Sequence, residues 1–147
     1  MDGEGATYEF SGSQTEVGDS PNAFSYTLKD NTKADNYTIT KTEGTLTVTD
    51  DTTALVIKSS TKSWTYDGEV HKDEVYTVTY DGTEVEADES GKVFTLPTGD
   101  TVTITATAEG VKDYDESYSE NNTFTYVLTN AGNYSNVPKT TGTLPLI

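Results

Sequence analysis

The chain has no cysteine and no arginine. The first absence excludes a disulfide framework and thiol catalysis. The second removes the planar fork that grips carboxylates and phosphates at two points. Histidine, tryptophan and glutamine occur once each, as His71, Trp64 and Gln14. A catalytic triad or an imidazole-based metal site would have to use His71, which follows a turn in a polar stretch and reads as an ordinary exposed residue. No apolar run approaches the roughly 20 residues needed to cross a bilayer as a helix. No signal peptide is visible, and Met1 with Asp2-Gly3-Glu4-Gly5 reads as a start placed inside a longer chain.

Hydrophobic residues make up only 32% of the 147 positions, so any core must be thin. Val, Ile, Tyr and Phe dominate that fraction, and Thr is the commonest residue of all. Branched and aromatic side chains pack well on a pleated surface, which biases the chain to strands. The net charge is −16, from 25 acidic residues against 9 basic ones. Nucleic acid is excluded as a partner, because its affinity comes chiefly from basic side chains on phosphates. Anionic membrane surfaces are disfavoured for the same reason. The acidity reads as a source of solubility.

Period-2 alternation runs through the chain. It marks Ala6–Phe10, Phe24–Leu28, Tyr37–Ile39, Leu46–Val48, Leu55–Ile57, Trp64–Tyr66, Tyr76–Tyr80, Val93–Leu96, Val102–Ala106 and Phe124–Leu128. Successive side chains of a strand face opposite sides, so each segment has one apolar and one Thr- or Ser-rich face. Asp67-Gly68, Asp81-Gly82, Thr98-Gly99-Asp100, Glu43-Gly44 and Gly18-Asp19-Ser20-Pro21-Asn22 read as turns. No helical spacing is present. The expected fold is all-β, as tandem small β-modules (β-sandwich or β-grasp-like sheets) with little or no helix.

The chain also repeats itself. Asn22-Ala23-Phe24-Ser25-Tyr26-Thr27-Leu28 lines up with Asn122-Thr123-Phe124-Thr125-Tyr126-Val127-Leu128. Asn36-Tyr37 matches Asn133-Tyr134, Gly44-Thr45-Leu46 matches Gly142-Thr143-Leu144, and Gly3 to Phe10 aligns with Gly99 to Ala106. The second copy carries an additional front section, Leu55 to Leu96, that the first lacks. Residues 1–50 therefore read as the rear half of one module and 53–147 as one complete module, joined at Asp50-Asp51-Thr52-Thr53. Strands without their front section leave an apolar face, here Tyr8, Phe10, Phe24, Tyr26 and Leu28. Three outcomes are expected for it. It packs on the second module, it exchanges strands with a neighbouring chain, or the boundary falls near Asp2 and 1–50 and 53–147 are separate small domains. If 1–50 proved to be a self-contained sheet whose aromatic contacts are all internal, this reading of the repeat boundary would be wrong and the additional section of the second copy would be an insertion.

Gly12-Ser13-Gln14-Thr15-Glu16-Val17-Gly18, Phe24 to Asp30, Lys33-Ala34-Asp35-Asn36-Tyr37-Thr38-Ile39 and Glu43 to Val48 closely resemble a repeat of large surface proteins of gut Firmicutes, as does Lys62-Ser63-Trp64-Thr65-Tyr66-Asp67-Gly68-Glu69. The repeat is similar to the MBG-type modules of bacterial adhesins. Val111 to Asn121, Pro138 and Pro145 depart from its pattern. The resemblance implies a stalk or adhesin segment of a secreted, cell-wall-associated protein of a Gram-positive bacterium. It implies no ligand and transfers no functional residue.

Few chemical motifs compete with that reading. No phosphate-binding loop and no metal-ligand spacing is present, so no cofactor is expected and the chain reads as non-enzymatic. Carboxylate pairs such as Asp113 with Asp115 and Asp88-Glu89 lie in polar loops. Neither Asp30-Asn31 with Asp35-Asn36 nor Asp113 with Asp115 has the spacing of a calcium loop. Lys and Asn are both present, but without the spacing of an isopeptide crosslink. Trp64, Tyr66, Tyr76 and Tyr80 are candidates for a ligand platform, although aromatics at strand spacing also serve as core and cross-strand pairs. Three functions follow. The first is a structural stalk that presents a distal binding region and has neighbouring modules of its own chain as partners. The second is a module that binds host glycan or protein. The third is an accessory domain of a secreted polysaccharide-degrading enzyme.

Overall fold

A computed structural model describes residues 2–147. The chain is all-β: eleven strands are joined by loops and three single-turn 3-10 segments among the described residues. It divides into two compact units, 1–50 and 51–147.

The first unit holds β1 (Ala6–Phe10), β2 (Gly18–Asn22), β3 (Phe24–Leu28) and β4 (Gly44–Val48). They form two antiparallel ribbons. β1 pairs with β3 in the register Ala6–Leu28, Tyr8–Tyr26 and Phe10–Phe24. β2 pairs with β4, with Asn22 opposite Gly44. Gly18 to Asn22 was expected as a turn because of its Gly, Pro and Asn. It is a strand, since an edge of a two-stranded ribbon tolerates Pro21, whose missing N–H can face away from the partner. Tyr37 to Ile39 was expected as a strand and is irregular. Among the described residues no strand of this unit pairs with it to supply a ladder.

The second unit holds β5 (Leu55–Ser59), β6 (Tyr76–Tyr80), β7 (Thr83–Val85), β8 (Val93–Thr95), β9 (Thr101–Ala106), β10 (Phe124–Leu128) and β11 (Lys139–Thr140). One sheet has the order β11-β5-β6-β7 and the other β10-β9-β8. Alternation aims Leu55 and Ile57 of β5, Tyr76 and Val78 of β6, Phe94 of β8, Val102 and Ile104 of β9, and Phe124 and Leu128 of β10 into one buried core. This is a small sandwich, two layers closing on their apolar faces. Val111, Leu144 and Leu146 form a second small cluster, with Trp64 against it.

The last segment of the unit runs parallel to the first. β11 pairs with β5 in that sense. The amides of Leu55, Ile57, Lys62, Trp64 and Tyr66 donate to the carbonyls of Asn136, Pro138, Thr143, Pro145 and Ile147 in turn. The seam is fixed where Asn122 is buried. Its amide nitrogen donates to the carbonyls of Ser60, at 2.9 Å, and Asp73, at 3.0 Å. The Ser59 hydroxyl donates to the Asn122 carbonyl, at 2.7 Å, and accepts from the Gly142 amide, at 2.9 Å. The approach is close enough that a Cβ built on Gly142 would stand 1.9 Å from the Ser60 carbonyl oxygen.

Two stability tests follow from this packing. Gly142→Ala must push the first and last strands apart and should cost about 1–3 kcal/mol or more. Gly44→Ala, at a position with nothing within 4 Å of its built Cβ, should stay within about 0.5 kcal/mol. Denaturant titration of both variants beside the parent chain separates them. Among the described residues the Tyr76 hydroxyl is buried without a hydrogen-bond partner. Tyr76→Phe should therefore raise the unfolding free energy of 51–147 by about 1 kcal/mol, read as a higher denaturation midpoint.

Candidate binding groove

Alternation in β1 and β3 places Tyr8 and Phe10 on the same face as Phe24, Tyr26 and Leu28. The Phe24 ring lies 6.1 Å from both Tyr8 and Phe10, tilted against each. Lys41 holds its ammonium 5.0 Å above the Phe24 ring and 2.7 Å from the Glu43 carboxylate. That ammonium keeps the Glu43 carboxyl below its ordinary range. Tyr37 donates to the Glu4 carboxylate at 2.9 Å, and this bond raises the phenol above its usual value. Between these groups runs an open groove of about 650 Å³, floored by Tyr8, Phe24, Tyr26 and Leu28 and walled by residues 37–42.

The aromatic face was expected to find cover. Tyr8 remains 64% exposed, Phe10 71% and Tyr26 36%. Residues 1–50 form a compact unit of their own, as two ribbons whose aromatic face stays largely open.

The second unit carries matching contacts. β9 and β10 pair Val102–Leu128, Ile104–Tyr126 and Ala106–Phe124, which is the β1–β3 register with each residue replaced by its repeat partner. Asn122 stands opposite Gly142, as Asn22 stands opposite Gly44. Tyr37 and Tyr134 both follow a 3-10 turn that starts at an alanine, and each donates its amide to that alanine's carbonyl. Tyr134 donates its hydroxyl to Asp100, as Tyr37 does to Glu4. Lys139 lies 4.4 Å above the Phe124 ring, as Lys41 lies over Phe24. Gly3 and Gly99 share a positive φ, 83° and 91°, which suits glycine because it lacks the clashing Cβ. The difference is cover. Ile104 and Phe124 are 2% and 1% exposed, buried with β5 and β6 in the core.

The four aromatics proposed as a ligand platform are not brought together. Tyr76 is in the main core. Tyr80 packs at the edge of that core and donates its hydroxyl to Asp51. Trp64 belongs to the second cluster and stacks on His71, with ring centroids 5.1 Å apart and planes 15° from parallel. Tyr66 is exposed. His71 is not an ordinary exposed residue: it sits half-buried on Trp64, with its Nε2 2.9 Å from an Asp67 oxygen. Sequence alternation could not place it, because its partner Trp64 lies across a turn. Among the described residues, no group of three or more His, Asp or Glu side chains is gathered as metal ligands would be. What the groove offers is an apolar floor beside a stretch, 38–42, that makes no backbone–backbone hydrogen bond among the described residues, a surface for binding.

No protein-family model matches the chain, and searches of curated proteins and of solved structures return no relative.

The Asp100–Tyr134 pair gives the second unit a two-sided pH signature. The Tyr134 hydroxyl and the side chains around it hold the Asp100 carboxyl below its ordinary range. Burial, with the Asp100 hydrogen bond, pushes the Tyr134 phenol up to about 12. The depressed acid contributes stability above its unfolded pKa, lost as pH falls through the folded one. The raised phenol contributes stability that is whole below about pH 10 and is lost as pH climbs to about 12. Denaturation midpoints of 51–147 should therefore fall between about pH 10 and 12. In Tyr134→Phe the fall should be shallower by at most about 3 kcal/mol, with the remainder carried by Tyr76 and Tyr80, whose phenols are also raised.

Proposed function

We propose that the chain is a non-catalytic segment of a tandem-repeat protein that acts as a structural stalk on the surface of a Gram-positive bacterium and carries a distal binding region outward. The observation that carries this reading is the duplicated rear half. One strand register, one Asn–Gly pairing, one acid–tyrosine bond and one lysine-over-phenylalanine contact occur twice in a single polypeptide. Repetition of one small module along a chain is the signature of an array, in which each unit is bounded by its neighbours. The composition supports an external setting. The absence of cysteine and the net charge of −16 suit a protein that must stay unaggregated in an oxidising medium. Neighbouring modules of the same chain are its first partners.

The test is small-angle scattering from chains bearing two, four and six copies of residues 51–147 in series. A stalk requires the maximum dimension to rise in proportion to copy number. A dimension that grows only as the cube root of mass marks a compact assembly and ends the stalk reading.

A further inference from the structure

We propose that the apolar groove of residues 1–50 is the docking site for a repeat front section of the type formed by residues 51–98, joined to Gly3 from the N-terminal side. The inference rests on the repeat reading, but not on the stalk role. A compact result in scattering would remove the stalk and leave this proposal standing.

Residues 51–147 show what covers such a face. There the rear half (β9, β10 and the segment around Lys139) is closed by β5 and β6. Three contacts that the front section makes with the rest of the second unit have an unused counterpart in the first. β11, at Lys139 and Thr140, takes β5 as a parallel neighbour. Its counterpart around Lys41 takes part in no backbone ladder among the described residues, and no backbone–backbone hydrogen bond reaches residues 38–42. Asn122 spends its amide nitrogen on the carbonyls of Ser60 and Asp73, both in the front section. Asn22 is half-buried, and its side chain makes no hydrogen bond among the described residues. The Ser60 carbonyl is pressed against Gly142, whereas the space before Gly44 is open to 4 Å.

These vacancies are matched in kind and place. An apolar floor, an unused ladder edge, an idle carboxamide and a clear glycine together fit a β5–β6 hairpin, with its Ser59-Ser60 corner at Asn22 and Gly44. The route in is also set. In the second unit the front section enters the rear half through the Leu96–Asp100 turn, in which the Gly99 amide donates to the Leu96 carbonyl, and Gly3 holds the same positive φ as Gly99. A second copy of the chain is a poorer donor. Its own front section is already engaged, and lending it would expose Val102, Ile104 and Phe124 in exchange.

The test joins a second copy of residues 51–98 directly ahead of Gly3, which recreates the Thr98–Gly99 junction, and reads amide hydrogen exchange by NMR. Residues 51–147 of the same chain serve as an internal reference. Docking should slow exchange at Phe24 to Leu28 and at residues 38–42 by about tenfold or more. Gly44→Val, which has free space in the parent chain, should abolish that protection in the extended chain and leave exchange in the parent unchanged. Unaltered exchange in the extended chain overturns the proposal. So does protection that survives Gly44→Val. So does a parent chain that at high concentration self-associates and protects the same residues, since a second copy would then be the occupant.

Discussion

A two-stranded ribbon with one apolar face is not stable by itself, because that face needs a second layer. Everything else in this molecule follows from how that need is met. In residues 51–147, β5 and β6 supply the layer, and Phe124, Ile104 and Val102 become a core. In residues 1–50 the same ribbon is drawn in the same register with no layer over it. Tyr8, Phe10 and Tyr26 then face water, and residues that are strand in one unit are irregular in the other. Secondary structure here is a product of tertiary neighbours as much as of local preference.

That dependence explains what could be read from the sequence and what could not. The strands Ala6–Phe10, Phe24–Leu28, Tyr76–Tyr80 and Phe124–Leu128 were legible because period-2 alternation and branched or aromatic side chains agree in each. The likeness of Phe24–Leu28 to Phe124–Leu128 was legible because both strands carry the string Asn-x-Phe-x-Tyr-x-Leu. Gly18–Asn22 was misread because its residues favour turns, whereas its pairing with β4 is decided from across the chain. Tyr37–Ile39 was misread for the opposite reason, since it has the pattern of a strand but no neighbour. The stack of Trp64 on His71 joins two loop residues with no shared periodicity, so no spacing rule could reveal it. The sequence named the aromatics of the open face one by one, but the groove was not visible. It takes its walls from residues 37–42, which carry no apolar rhythm beyond Ile39.

The two units also differ in detail where their contacts match. The acid that accepts from the tyrosine is Glu4 in one unit and Asp100 in the other, and the tyrosine hydroxyl reaches both. The strand residue opposite Phe24 is Phe10, where the partner of Phe124 is Ala106. A large ring in one copy is thus replaced by a methyl group in the other at the same ladder position. In the second unit the Phe124 ring meets Tyr76 of β6 instead, with centroids 5.5 Å apart. The polar framework is the more uniform part: the Asn–Gly pairing and the alanine-capped turn before the tyrosine occur in both units.

The parallel seam between the first and last segments of 51–147 has a mechanical consequence. The bonds from Leu55, Ile57, Lys62, Trp64 and Tyr66 to residues 136–147 lie side by side along the pulling direction when tension is applied between Asp51 and Ile147. Such a load shears the row, so its bonds must rupture together instead of unzipping one after another. Shear therefore falls on the strand pair that also anchors Asn122 and Gly142, where the backbones touch most closely. A unit sewn in this way resists extension at its own ends, and the segment from Val111 to Asn121 braces the loaded strand through the bonds of Asn121 to Leu144 and of Ser117 to Leu146.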